Sequence, residues 1–148
     1  MATKLSKNFT LEELTKSATA KRKGIDNEPN EDALVDLKRL AKEVLQPVRD
    51  KYGKPIIVTS GYRGEKLNKA IGGSKTSQHM LGQAADIEAL DGNNAELFKI
   101  IKSMMEDGKL MVGQLIWEYG TKKQPNWVHV SLPRKDRMNN QILYYFDK

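Results

Sequence analysis

Between Glu31 and Tyr52, apolar side chains recur at Leu34, Leu37, Leu40, Ala41, Val44, Leu45 and Val48. These are the i, i+3, i+4, i+7 steps of a helix that buries one face. Asn30 can cap its start and Gly53 can end it. Pro47 lacks an N–H to give and predicts a kink or a break near the last turn. A second helix is predicted over Asn93–Asp107, where Ala95, Leu97, Phe98, Ile100, Ile101, Met104 and Met105 fall at helical intervals. Asp91 or Asn93 would cap it and Gly108 would end it, its methionines serving as adaptable core filler. Thr10 and Glu13 form a capping box for a short helix that should end in the polar Ser17–Gly24 stretch. Asp26–Asn30 is turn-rich, and Glu65–Ala70 has room for a brief helix.

Four stretches have the composition of strands: Ile56–Thr59, Ala84–Glu88, Gln114–Tyr119 and Trp127–Ser131. In the second, the period of two puts Asp86 and Glu88 on one face. The last two are separated by Gly, Pro and Asn residues in Gly120–Asn126, a loop composition that favours a hairpin. Pairing centred on residues 123 and 124 would set Glu118 opposite His129, their Cβ atoms about 5 Å apart. The tail, residues 134–148, ends in the apolar Ile142, Leu143, Tyr144, Tyr145 and Phe146. It is a final docked strand or an accessory interaction segment. The expected fold is therefore α+β: one domain over residues 1–148, with helices on one side of a small, mainly antiparallel sheet.

Composition narrows this picture further. A chain of 148 residues can bury a core without staples, and it has no cysteine for disulfides or thiolate metal sites. Its net charge of +6 favours encounter with polyanions, a bacterial wall among them. The basic residues are spread along the chain with no basic, aromatic-interleaved helix, which argues against nucleic acid as the partner. Residues Met1–Asn8 lack the apolar run of a signal peptide, and no window reaches transmembrane length, so membrane insertion is not expected. No pattern along the chain specifies an oligomeric state.

The chemistry gathers in Ser77–Asp86, Ser-Gln-His-Met-Leu-Gly-Gln-Ala-Ala-Asp, and in Trp127-Val128-His129. The chain has two histidines, and both lie in these blocks. Two imidazoles and a carboxylate are a common ligand set for catalytic zinc, which keeps one position open for water. Each histidine alone has an ordinary reading, His79 as a polar loop residue and His129 as a satisfied strand residue. The full pattern Ser-x-His-x-x-Gly-x-Ala-x-Asp, followed some forty residues on by Trp-x-His, favours the metal.

This pattern resembles the M15 family of zinc D-Ala-D-Ala peptidases, whose members share a fold with the Hedgehog signalling domain. The resemblance runs from about Phe9 to Leu132. It includes Ile56-Ile57-Val58-Thr59-Ser60-Gly61-Tyr62-Arg63, Leu67-Asn68, Gly72-Gly73, the Ser77–Asp86 block and Trp127-Val128-His129. It implies zinc on His79, Asp86 and His129, Arg63 as a substrate-binding cation, and the peptidoglycan stem peptide as substrate. Whether the bond cut is a terminal D-alanine or lies within the stem stays open.

Many relatives place the general base three residues before the last ligand, but here that position is Asn126, which cannot accept a proton. Glu118 is the nearest substitute, with Glu88 in reserve. The fork of Arg63 suits a carboxylate or the carbonyl of the scissile peptide. Ser77 and Gln78 can bind substrate or shape the loop, and Trp127 can wall the cleft or pack. A zinc peptidase of the bacterial wall, possessing the features of a phage lysin, is one reading. Such an enzyme, made in the cytoplasm, would reach the wall or periplasm after phage lysis or on a virion. A non-catalytic wall-binding or virion module with the same fold is the other. The position of Glu118 separates them.

Overall fold

The computed structural model describes residues 3–135 and 139–146. Thr10 caps helix α1 (Leu11–Thr15): its hydroxyl accepts the N–H of Glu13, and Glu13 returns a bond to the Thr10 N–H. The expected end of helix in Ser17–Gly24 is not what forms. Ser17 caps a second helix, α2 (Ala18–Lys23), and left-handed Gly24 closes it. Serine at an N-cap starts a helix as readily as it punctuates a loop.

The long amphipathic stretch is continuous. It begins at Asn30 as α3 (Glu31–Leu40), widens into a π-helical turn (Ala41–Leu45), and ends as α4 (Gln46–Tyr52) before left-handed Gly53. The widening answers the expected break: the Gln46 N–H reaches back to the Ala41 carbonyl just ahead of Pro47. After strand β1 (Ile56–Ser60) come α5 (Glu65–Ala70), a 3₁₀ turn (Gln78–Leu81) and β2 (Ala84–Ala89). Helix α6 (Asn94–Glu106), capped by Asn93, leads to β3 (Gln114–Glu118), β4 (Trp127–Ser131) and β5 (Gln141–Tyr145).

The five strands lie in the order β1-β2-β4-β3-β5. All neighbours are antiparallel except β3 and β5, which run parallel. The tail thus supplies a docked edge strand; its residues 136–138 and 147–148 lie outside the described part. One sheet face carries Val58, Ala85, Ile87, Leu115, Trp117, Val128 and Val130, which join Leu37, Val44, Val48, Leu97, Phe98 and Ile101 of the helices in one buried core. The opposite face carries Asp86, Glu118, Trp127 and His129. Helices on one side leave the other side free for chemistry. Among the described residues no helix is long and apolar enough to cross a membrane.

The β3–β4 hairpin corrects one expectation. His129 pairs with Ile116, and Glu118 pairs with Trp127, a register two residues away from that expected. The cause is the connection. Tyr119 and Gly120 both take positive φ, 61° and 70°, and Thr121 donates to the Gln124 carbonyl, so the chain turns earlier than a loop centred on 123 and 124. A shift of two keeps every side chain on its face, whereas a shift of one would have turned Glu118 into the core.

Candidate metal centre

Three elements converge on the open face of the sheet. His79 comes from the 3₁₀ turn, Asp86 from β2 and His129 from β4, where Asp86 and His129 are direct cross-strand partners. Each offers one ligand atom, and these atoms all lie within 4.8 Å of one another. His129 Nδ1 is 2.9 Å and His79 Nε2 is 3.5 Å from Asp86 Oδ1. The two imidazoles meet edge to face, with ring centroids 5.2 Å apart.

The donor chemistry fits a cation. His79 Nδ1 lies 2.7 Å from the Gly61 carbonyl oxygen, which can only accept, so this nitrogen carries the proton. In the neutral ring, Nε2 then presents a lone pair towards the carboxylate of Asp86. A shared proton or a bound metal ion would satisfy both lone pairs, and a backbone carbonyl behind the ring is the usual support for a metal-binding imidazole. Burial, the largest influence on Asp86, works to raise its pKa, but hydrogen bonds and charge from His129 and His79 hold the carboxyl well below the usual carboxylate range. It is a ready anionic ligand.

Gly61 owes its place to crowding: a Cβ there would sit 2.3 Å from the Leu14 carbonyl oxygen at the end of α1. The next residues are pinned by Asn27. Its side chain donates to the Thr15 and Tyr62 carbonyls and accepts the N–H of Gly64. Arg63 follows, its own N–H bonded to the His79 carbonyl and its Nη2 3.2 Å from Ser77 Oγ. Burial lowers the pKa of Arg63, against the charges of Asp86 and Glu118 that raise it, and its Nε is buried with no hydrogen-bond partner. Sequence reasoning passed over Gly61 and Asn27. Gly61 stood inside the matched Ser-Gly-Tyr-Arg block, while Asn27 looked like any turn asparagine.

Glu118 reaches the site diagonally, its Oε1 3.9 Å from His129 Nδ1. Its other oxygen, Oε2, accepts the indole N–H of Trp127 at 2.9 Å. Burial and then the charge of Asp86 push the pKa of Glu118 up, while His129, the Trp127 bond and His79 pull it down; the net direction is upward. A carboxylate so placed beside a metal site is suited to accept a proton. Glu88 shares the sheet face but pairs with Ile57, one step further from the ligands than Asp86. Asn126 is exposed at the loop end, its N–H bonded to the Glu118 carbonyl.

The remaining expected residues separate by role. Ser77 Oγ receives both the His79 N–H and Arg63 Nη2, which shapes the loop and holds the guanidinium. Gln78 is buried, with its amide nitrogen bonded to Gln83 Oε1 and the Leu132 carbonyl. It ties the loop to the end of β4. Trp127 sits on the site face and grips Glu118.

Residues 7–131 match the family model described as Peptidase M15. The chain belongs to the M15 peptidase family, and its His79, Asp86 and His129 cluster could hold a metal ion. No curated protein matches the chain.

Proposed function

We propose that the protein is a zinc-dependent peptidase that hydrolyses a peptide bond of the bacterial peptidoglycan stem, in the manner of a D-Ala-D-Ala carboxypeptidase or a stem endopeptidase. The observation that carries this reading is the joint placement of three metal-ligand atoms within 4.8 Å and a carboxylate, Glu118, 3.9 Å from one of them. His79 Nε2, Asp86 Oδ1 and His129 Nδ1 would hold the ion. Zinc held there would supply the Lewis acidity needed to polarise the scissile carbonyl and to acidify the attacking water near neutral pH.

The chain's own groups do the rest. Glu118 Oε1 takes the proton from the attacking water and passes it to the amine as the C–N bond breaks. The Trp127 indole fixes the other oxygen, so the carboxylate presents one defined acceptor. Arg63, held by Ser77, binds the substrate through its guanidinium fork. The non-catalytic module would leave Glu118 in bulk solvent. Its side chain is instead 17% exposed and turned to His129, which favours the enzyme. On this reading the place of action is the cell wall or periplasm, reached after phage lysis or on a virion. Counting amino groups released from purified peptidoglycan, with and without a chelator, tests it. Release that a chelator abolishes and added zinc restores is expected; release of none under any condition leaves the binding module.

A further inference from the structure

Strand β5 lies beyond residues 7–131, the part of the chain that matches the family model. Its parallel register with β3 sets Leu143 beside Ile116 and Tyr145 beside Glu118. Tyr144 turns to the helices, where its ring meets those of Phe98 and Trp117. Alternation therefore puts Gln141, Leu143 and Tyr145 on the face that carries the ligand cluster. Just past the end of β3, Tyr119 holds a positive φ of 61°, a conformation that a bulky residue adopts only under strain. Its N–H is bonded to the Tyr145 carbonyl, and its ring stands edge to face with that of Trp127, centroids 5.4 Å apart. Tyr119 and Tyr145 are 42% and 47% exposed. Glu118 is thus bordered by two tyrosines, one from the turn and one from β5, both open to water.

A pocket for an aliphatic side chain would enclose it and exclude water. These rings stay wet, carry hydroxyls, and share their face with the Gln114–Gln141 amide pair, joined at 3.2 Å. A pyranose has the matching surface: a flat face of C–H groups for an aromatic ring, and a rim of hydroxyls for polar partners. We infer that β5 and Tyr119 form a sugar subsite beside the metal centre. A pyranose ring of the glycan strand lies against Tyr145 and Tyr119 while the stem attached to it crosses the ligand cluster. The inference rests on the peptidase reading for its substrate. The spacing suits it. Tyr145 is two strands and two residues away from His129, roughly 12 Å, which about three or four residues of extended stem would span.

Binding can be read without catalysis. ¹⁵N-labelled, chelator-treated protein is titrated with L-Ala-γ-D-Glu-L-Lys and with the same peptide carried on N-acetylglucosaminyl-N-acetylmuramic acid. The disaccharide-peptide is expected to bind roughly tenfold more tightly. It should move the amide signals of Tyr119 and Tyr145 and the indole N–H of Trp127, but not that of Trp117, which is buried against the helices. Tyr119→Asn removes one ring and installs a residue that tolerates positive φ, so it should fold at least as stably and lose most of the preference. Tyr145→Ala should lose it too, while Tyr145→Phe keeps it. Equal affinity for the two probes, or a preference unchanged in both Tyr119→Asn and Tyr145→Ala, overturns the inference. So does a bare peptide that moves the two tyrosine signals as far. Sugar-selective binding by a protein that cuts no wall preparation would uphold the subsite and sink the peptidase reading instead.

Discussion

Glu118 Oε1 lies 3.9 Å from His129 Nδ1 although the two residues are not opposite each other; His129 faces Ile116 across the hairpin. The diagonal is as useful as direct opposition would be, because a glutamate side chain spans the offset between alternate pairs. On the proposed function, proximity to a candidate ligand atom, more than strand position, makes Glu118 the proton acceptor. Glu118→Gln is therefore expected to keep fold and metal and to lose about 100- to 10,000-fold in cleavage rate. Glu88→Gln should keep most activity. Near-full activity in Glu118→Gln would put the base elsewhere.

Trp127 should act through Glu118. Trp127→Phe keeps an aromatic ring and removes the N–H that reaches Glu118 Oε2 at 2.9 Å. A hydrogen bond to a charged group contributes about 1.5–3 kcal/mol, so kcat is expected to fall by roughly ten- to a hundredfold with KM little changed. A rise in KM with kcat preserved would make Trp127 a cleft wall instead. The chain has two tryptophans, so two indole N–H signals are expected by NMR, and Glu118→Gln should move only that of Trp127.

Gly61→Ala tests how the first ligand is oriented. The added methyl would meet the Leu14 carbonyl at 2.3 Å, a backbone atom that cannot swing aside. Forcing that contact apart should cost on the order of 1–3 kcal/mol of stability. It should also weaken metal binding, since the Gly61 carbonyl fixes the His79 ring. A variant with lower Tm and unchanged metal affinity would show that the carbonyl is not what orients the imidazole.

The fold's alkaline limit should be set in part by Tyr52 at the end of α4. Burial first, and then its hydrogen bond to Asp91, push the phenol up to about 12. A folded pKa above the unfolded value, about 10, means this stability is complete below pH 10 and is lost as pH rises through 12. Tyr52→Phe removes the ionisation, and its stability curve should be flatter between those limits. An unaltered slope would assign the alkaline loss to other groups.

These residues also show what the chain reveals before folding. The helical spacing of Leu37, Val44 and Val48, and the caps at Thr10, Asn30 and Asn93, act locally, so the helices were legible. So was the gathering of His79, Asp86 and His129, because a motif with fixed spacing carries its geometry with it. The hairpin register was not. Alternation fixes the face of a strand, but pairing depends on the turn, and nothing in the residue type of Tyr119 announces its positive φ. Parallel pairing of β5 with β3 and the grip of Asn27 on the Arg63 loop are long-range contacts that leave no local period. The second helix after Ser17 was hidden for another reason: six residues are too few to display a helical stripe.

Metal and substrate stand together at the centre of the proposed function, and one measurement addresses both. Purified peptidoglycan is incubated with the zinc-loaded protein, with the chelated protein and with His129→Ala, and new peptide termini are identified by mass spectrometry. The account expects a single new amino–carboxyl pair within the stem, formed only by the zinc-loaded parent protein, with His129→Ala lacking both metal and product. Full zinc occupancy in His129→Ala, or the same termini appearing in the presence of the chelator, would contradict it.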